Sequence, residues 1–135
     1  MMAIVLETDT IKMVALFEKV TNVHAKDCII TDRYVYFLVD PRKVGMAIGK
    51  NGATTKNLSR NLGKNVKVFG YADKPDELIR NIVPNIKSIE INGDTVTVSV
   101  PADERMNVIG SGGRNIKFIK EVLNRHFDIK NVRLR

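Results

Sequence analysis

The chain has 135 residues, of which 44% are hydrophobic and 27% charged, and carries a formal net charge of +7. This composition excludes a disordered tail, and the apolar runs fall far short of the stretch of about 20 residues that a membrane-spanning helix needs. One cysteine, Cys28, with only His24 and His126 beside it, excludes an internal disulfide and a zinc site of ordinary ligand spacing, while the positive balance favours a polyanionic partner.

In chain order, Met1 to Leu6 is apolar but is stopped by Glu7 and Asp9 and has no basic flank, so it does not read as a secretory signal, and a cytoplasmic location is expected. Asp9 is placed to cap a helix whose apolar residues Ile11, Val14, Ala15 and Phe17 recur at helical intervals up to about Val20. Asp27 to Thr31 and Tyr34 to Val39 read as strands joined by a turn at Asp32-Arg33, with Val35, Phe37 and Val39 on one face. A short helix is expected from Pro41 to Ile48. A second runs from Ala53 to Leu62 and stops at Gly63, a C-cap glycine. Val66 to Phe69 closes the series as a strand.

Residues Gly70 to Lys74 are too few for a flexible tether, so two closely joined units, 1–72 and 73–135, are expected, in a rigid or nearly rigid tandem. Pro75 opens the next helix with Asp76 and Glu77 in its first turn, where carboxylates suit the helix dipole; Leu78, Ile79, Ile82 and Val83 form its apolar stripe. Pro84 ends it. Ile86 to Ile91 and Thr95 to Val100 then form a hairpin through Asn92-Gly93-Asp94, and a helix from about Asp103 leads to a glycine loop. Arg114 to Phe127 is a helix with Ile116, Ile119, Val122 and Leu123 inward, and Asn131 to Leu134 is the last strand. Both units therefore read αββααβ: an α+β fold, each unit with a three-stranded mixed sheet covered by helices on one face.

The repetition extends to a motif. Ile48-Gly49-Lys50-Asn51-Gly52 and Ile109-Gly110-Ser111-Gly112-Gly113 place I-G-x-x-G twice, 61 positions apart. A G-x-x-G turn between helices has no side chains at its glycines, so a nucleic-acid backbone can approach the protein backbone closely. The helix that follows presents free N–H groups and the positive end of its dipole there, which favours phosphate. One such turn is a weak signal, because it also serves as a plain helix-helix connection; two in the same αββααβ context are a strong one. Charge agrees with the motif. From Pro41 to Ala72 there is no Asp or Glu, but seven basic residues occur: Arg42, Lys43, Lys50, Lys56, Arg60, Lys64 and Lys67. Around the second loop the basic residues are Arg105, Arg114, Lys117 and Lys120, between Glu104 and Glu121.

The unit with I-G-x-x-G resembles a type II KH domain, and the pair is similar to the archaeal NusA family of transcription termination and antitermination factors. The residues carrying the likeness are Asp27-Cys28-Ile29-Ile30, Ala47 to Gly52, Gly113-Arg114-Asn115-Ile116-Lys117 and Arg125-His126-Phe127-Asp128-Ile129, so it extends over nearly the whole chain. The resemblance implies single-stranded RNA as the ligand, about four nucleotides per unit, and nascent RNA in transcription elongation or termination as its setting. It implies that Gly49 to Gly52 and Gly110 to Gly113 hold the sugar-phosphate backbone and that Ile48 and Ile109 form part of an apolar floor beneath the bases. Lys43, Lys50, Asn51, Lys56, Arg60, Arg114 and Lys117 surround these positions and complete the expected RNA-binding set. Ser111 stands where such proteins generally carry a lysine, and the second loop is expected to be the weaker. Bacterial relatives add a polymerase-binding domain and an S1 domain, for which 135 residues leave no room; contact with RNA polymerase or the elongation complex is implied by analogy alone. A monomer without cofactor, metal or catalytic activity is expected.

Gly45 to Lys50 superficially resembles a phosphate-binding P-loop, but Gly45 and Gly49 enclose three residues instead of four, and Asn51 stands where Ser or Thr is needed, which argues against a nucleotide-hydrolysing enzyme. The paired aromatic strand of an RRM is missing. A ribosome-associated or RNA-processing protein using the same KH surface stays open. Tyr34 and Tyr36 suit packing between units better than base stacking, and His24 is read as a loop residue without a partner or role.

Overall fold

A computed structural model describes residues 2–135, with side chains for residues 9–110 and 112–135, and the chain divides into the units Met1–Ala72 and Asp73–Arg135. In the first, α1 spans Met2–Thr21. Asp9 thus lies inside the helix and is not its cap; the strong helix formers before it, with no Gly or Pro among them, let the helix begin earlier. The helix ends at Asn22, which is left-handed (φ 58°) and whose N–H donates to Glu18 O at 2.9 Å.

The strands β1 (Ala25–Ile30) and β2 (Tyr34–Val39) pair antiparallel, and β2 pairs parallel with β3 (Asn65–Gly70), in the order β1-β2-β3. β1 begins two residues before the expected Asp27, at Ala25, whose N–H donates to Glu18 Oε2 at 2.8 Å and so fixes the entry from α1. The same carboxylate meets His24 Nδ1 at 2.9 Å, so His24 does have a partner.

As the central strand, β2 is buried on both faces. Val35, Phe37 and Val39 lie on the helix side in one cluster with Phe17, Cys28, Ala47, Leu58, Val66 and Val68. The Phe17 ring stacks on Phe37 with centroids 4.0 Å apart, and burying such a side chain contributes about 1.5–3 kcal/mol. Tyr36 stacks on Tyr34 with centroids 5.7 Å apart and is 1% exposed, which removes it as a base-stacking platform.

Between β2 and β3 the chain forms a 3-10 turn at Pro41–Lys43, α2 (Val44–Ile48), a second 3-10 turn at Lys50–Gly52, and α3 (Ala53–Leu62). The single helix expected from Pro41 to Ile48 is therefore divided. Asp40 tightens its first turn, its backbone oxygen accepting from Lys43 N at 2.8 Å and its Oδ1 from Arg42 N at 3.0 Å. Gly63 caps α3 in the left-handed conformation (φ 68°), donating to Ser59 O at 2.9 Å.

The second unit repeats the order. α4 (Pro75–Ile82) has Lys74 extended before its proline, and Val83 is extended because Pro84 follows. Leu78 and Ile79 are fully buried. β4 (Ser88–Asn92) and β5 (Thr95–Ser99) form the antiparallel hairpin, and β6 (Asn131–Leu134) pairs parallel with β5. β4 starts after the expected Ile86; Asn85, left-handed at φ 61°, turns the chain just before it. A 3-10 turn at Ala102–Glu104 leads into α5 (Arg105–Ile109), a second at Ser111–Gly113 into α6 (Arg114–Phe127). Phe118, Ile119, Val122 and Leu123 are the buried residues of α6, while Ile116 is half-buried. The fold is two tandem αββααβ units, each with a three-stranded mixed sheet flanked by helices.

Candidate nucleic-acid interface

Each glycine loop is built by the same backbone path. Gly49 closes α2 by donating to Gly45 O at 3.0 Å and then adopts φ 80°, ψ 170°; Gly110 closes α5 by donating to Met106 O at 2.9 Å and adopts φ 76°, ψ 167°. At the third loop position Asn51 (φ 54°) and Gly112 (φ 63°) are both left-handed, as are Gly52 (φ 73°) and Gly113 (φ 77°) at the fourth. Gly52 N donates to Gly49 O at 3.1 Å, and Gly113 N to Gly110 O at 3.0 Å. Two different sequences thus reach one geometry.

The loops hand over to helices whose N-caps, Gly52 and Gly113, make no side-chain cap bond, and neither α3 nor α6 has an acidic residue in its first turn. Ala53, the first residue of α3, donates its N–H to Lys50 O within the turn, and at both helix starts the positive dipole end meets no side chain that would compete with an anion. Lys50 and Asn51 are exposed at the tip of the first loop, and Ile48 is half-buried against the core of its unit.

The KH domain family matches residues 13–82. Proteins named "Probable transcription termination protein NusA" are similar over almost all of the chain. That of Methanocaldococcus jannaschii is 33% identical over 96% of this chain and 74% of its own, and that of Halobacterium salinarum strain R1 is 32% identical over 98% and 99%. The chain belongs to the archaeal NusA-like family of tandem KH-domain proteins. A crystal structure of a protein designated APE1850 is similar with a TM-score of 0.81 and 29% identity, covering 95% of this chain and 99% of that one. As a NusA-like KH protein the chain is an RNA-binding adaptor.

Within this NusA-like frame most of the expected site residues fall into three groups, and the side chain of Ser111 lies outside the described residues. Lys43, Lys50, Asn51, Lys56 and Arg60 are exposed around the first loop and along α3; Gly49, Gly52, Gly110, Gly112 and Gly113 shape the loops; Ile48 and Ile109 are half-buried beside them. Lys117 is exposed on α6, but Arg114 is half-buried with its Nε enclosed. Among the residues counted in the basic run, Arg42 is engaged: its Nη2 lies 2.8 Å from Asp40 Oδ2. The Arg42 guanidinium holds the Asp40 carboxyl down to about 2 and is itself raised. Lys64 is engaged too, its Nζ donating to Thr31 O at 2.5 Å and Asp32 O at 3.0 Å, so it braces the β1–β2 turn. Charge spacing along the sequence held no sign of either pairing, because both depend on how the chain turns. Arg33, expected from the sequence only as a residue of that turn, stands exposed in it.

Proposed function

We propose that this chain binds single-stranded RNA through both glycine loops, with residues 1–72 and 73–135 acting as two KH domains, and that it works as a monomer in the cytoplasm on nascent transcripts at elongation or termination. The observation that supports the reading best is the shared loop geometry: two paths with φ/ψ values within a few degrees at Gly49 and Gly110, each opening onto a helix N-terminus that has no side-chain cap and no acidic residue in its first turn. The termination role, and with it contact with RNA polymerase or the elongation complex, is supported by the names of the archaeal relatives. In this mechanism phosphates sit over the glycines, Lys50, Lys43, Lys56 and Arg60 neutralise the strand around the first loop, and Arg114 and Lys117 do so at the second. Ile48 and Ile109 support the bases.

The test is Lys50→Asp with Asn51→Asp in the full chain. Both side chains are exposed, so the melting temperature should hold while RNA affinity falls at least about tenfold, a loss of about 1.4 kcal/mol. Unchanged affinity in a folded double variant would remove the first loop from the interface.

A further inference from the structure

A depression of about 380 Å³ lies at the far end of α3 from the glycine loop, lined by Arg33 from the β1–β2 turn, Ser59 and Arg60 from the helix, Lys64 from the loop before β3 and Asn65 from the start of that strand. Asp32 is its one acidic lining residue. Arg60 alone would be read as a cation in the last turn of a helix, where the dipole favours it. Arg33 has no such reason, because it arrives from a different element. It is exposed, and among the described residues neither it nor Arg60 has an ion-pair partner. Lys64 is fixed by the Thr31 and Asp32 carbonyls, which holds its charge at the rim. The depression is also continuous with the loop. Lys56 and Arg60 are four residues apart on one exposed face of α3, so they lead from Gly52 to its edge over a helix about 15 Å long.

The second unit has a depression of about 340 Å³ against its own last helix, lined by Lys117, Lys120 and Lys130 with Glu121 and Asn124. There Lys130 Nζ is held 2.9 Å from Asp128 Oδ1, and Glu121 is taken by Arg125. A basic hollow beside the glycine-loop helix therefore recurs in both units, although different positions supply its charges.

Building on the loop reading above, we infer that the Arg33–Arg60–Lys64 depression is a second phosphate site, which takes the backbone of an RNA strand after it has left the glycine loop and run along α3. An acidic protein surface is the competing occupant, and the experiment separates the two. The full chain and its Arg33→Glu variant are titrated with a tetranucleotide, long enough for the loop only, and with a dodecanucleotide, at several salt concentrations. The unsubstituted chain should bind the longer RNA more tightly and with a steeper salt dependence. Arg33→Glu should leave the tetranucleotide unaffected, weaken the dodecanucleotide several-fold, and make its log-log salt slope shallower by about 0.7, the value of one phosphate contact on a single strand. Arg33→Ala should show the same change of slope with a smaller loss. If both RNAs bind the variants as they bind the unsubstituted chain, the depression takes no phosphate and an acidic protein becomes its occupant. If the tetranucleotide fails to bind even the unsubstituted chain while the dodecanucleotide shows the Arg33 dependence, the loop reading falls and the depression stands.

Discussion

Gly49 has φ 80° and ψ 170°, a region open essentially to glycine alone, and a Cβ built there would collide with Thr54 Oγ1 and come within 3.0 Å of Thr54 N. Gly49→Ala should therefore lose about 1–3 kcal/mol from backbone strain, with the collision in addition, and RNA affinity with it. Gly45 is the control: it lies inside α2 with nothing within 4 Å of its Cβ position, so Gly45→Ala should be neutral or stabilising by about 0.4–1 kcal/mol. Chemical denaturation of both variants checks the pair. Asp40 makes a pH prediction. With its carboxyl held at about 2 by Arg42, below the ordinary 3.8, its support for the turn before α2 is complete above about 3.8 and is lost as pH falls through about 2. An NMR titration of the carboxyl should place its midpoint near 2 and move it toward 3.8 in Arg42→Ala. The sequence supplied the residue types for all of this, but not the pairings. Arg42 and Asp40 are two apart, and only the 3-10 turn at Pro41–Lys43 folds one side chain back onto the other.

Among the elements, those bounded by strong local signals were legible to the residue. α3 begins after Gly52 and ends at the Gly63 cap, α6 runs from Arg114 to Phe127, and β2 and β6 have the bounds expected of them, Tyr34–Val39 and Asn131–Leu134. α1 was not, because nothing in its first residues marks a start and Asp9 offered a false one. The two loops share a path but differ in charge, since Lys50 in the first corresponds to Ser111 in the second. A charge-assisted hydrogen bond to phosphate is roughly twice as strong as a neutral one, so Ser111→Lys should tighten RNA binding several-fold, and Lys50→Ser should weaken it. Fluorescence anisotropy with a labelled single strand measures both. Single substitutions at Ser111 are cleaner than any at Gly112, whose φ of 63° would burden a new side chain with strain unrelated to RNA.

For the whole molecule, charge is distributed unevenly: residues 1–72 hold 11 Lys and Arg against 6 Asp and Glu, a net of +5, and residues 73–135 hold 11 against 9, a net of +2. The first unit should therefore contribute more of the electrostatic affinity. Four to six phosphate contacts over both units would give a log-log salt slope of roughly −3 to −4 on single-stranded RNA, with weaker binding to a duplex. Equal binding to the duplex would contradict the single-strand reading of the two loops. At this scale the sequence was most informative where it repeated itself, because the 61-residue interval between the I-G-x-x-G motifs marks two copies of one plan without any knowledge of packing.

The parallel pairing of β2 with β3, and of β5 with β6, sets an order of assembly during synthesis. In each unit the opening helix and the hairpin emerge from the ribosome first and the glycine loop next, and the strand that completes the sheet comes last. Until Asn65–Gly70 is free of the exit tunnel, β2 presents a bare edge and the Phe17–Phe37 stack lacks Val66 and Val68 beside it. The first unit can complete its sheet no earlier than that point, while the second is still being translated. Loss of Asn131–Leu134 would leave β5 with an open edge, so the few residues of β6 decide whether the second unit closes or becomes a template for aggregation.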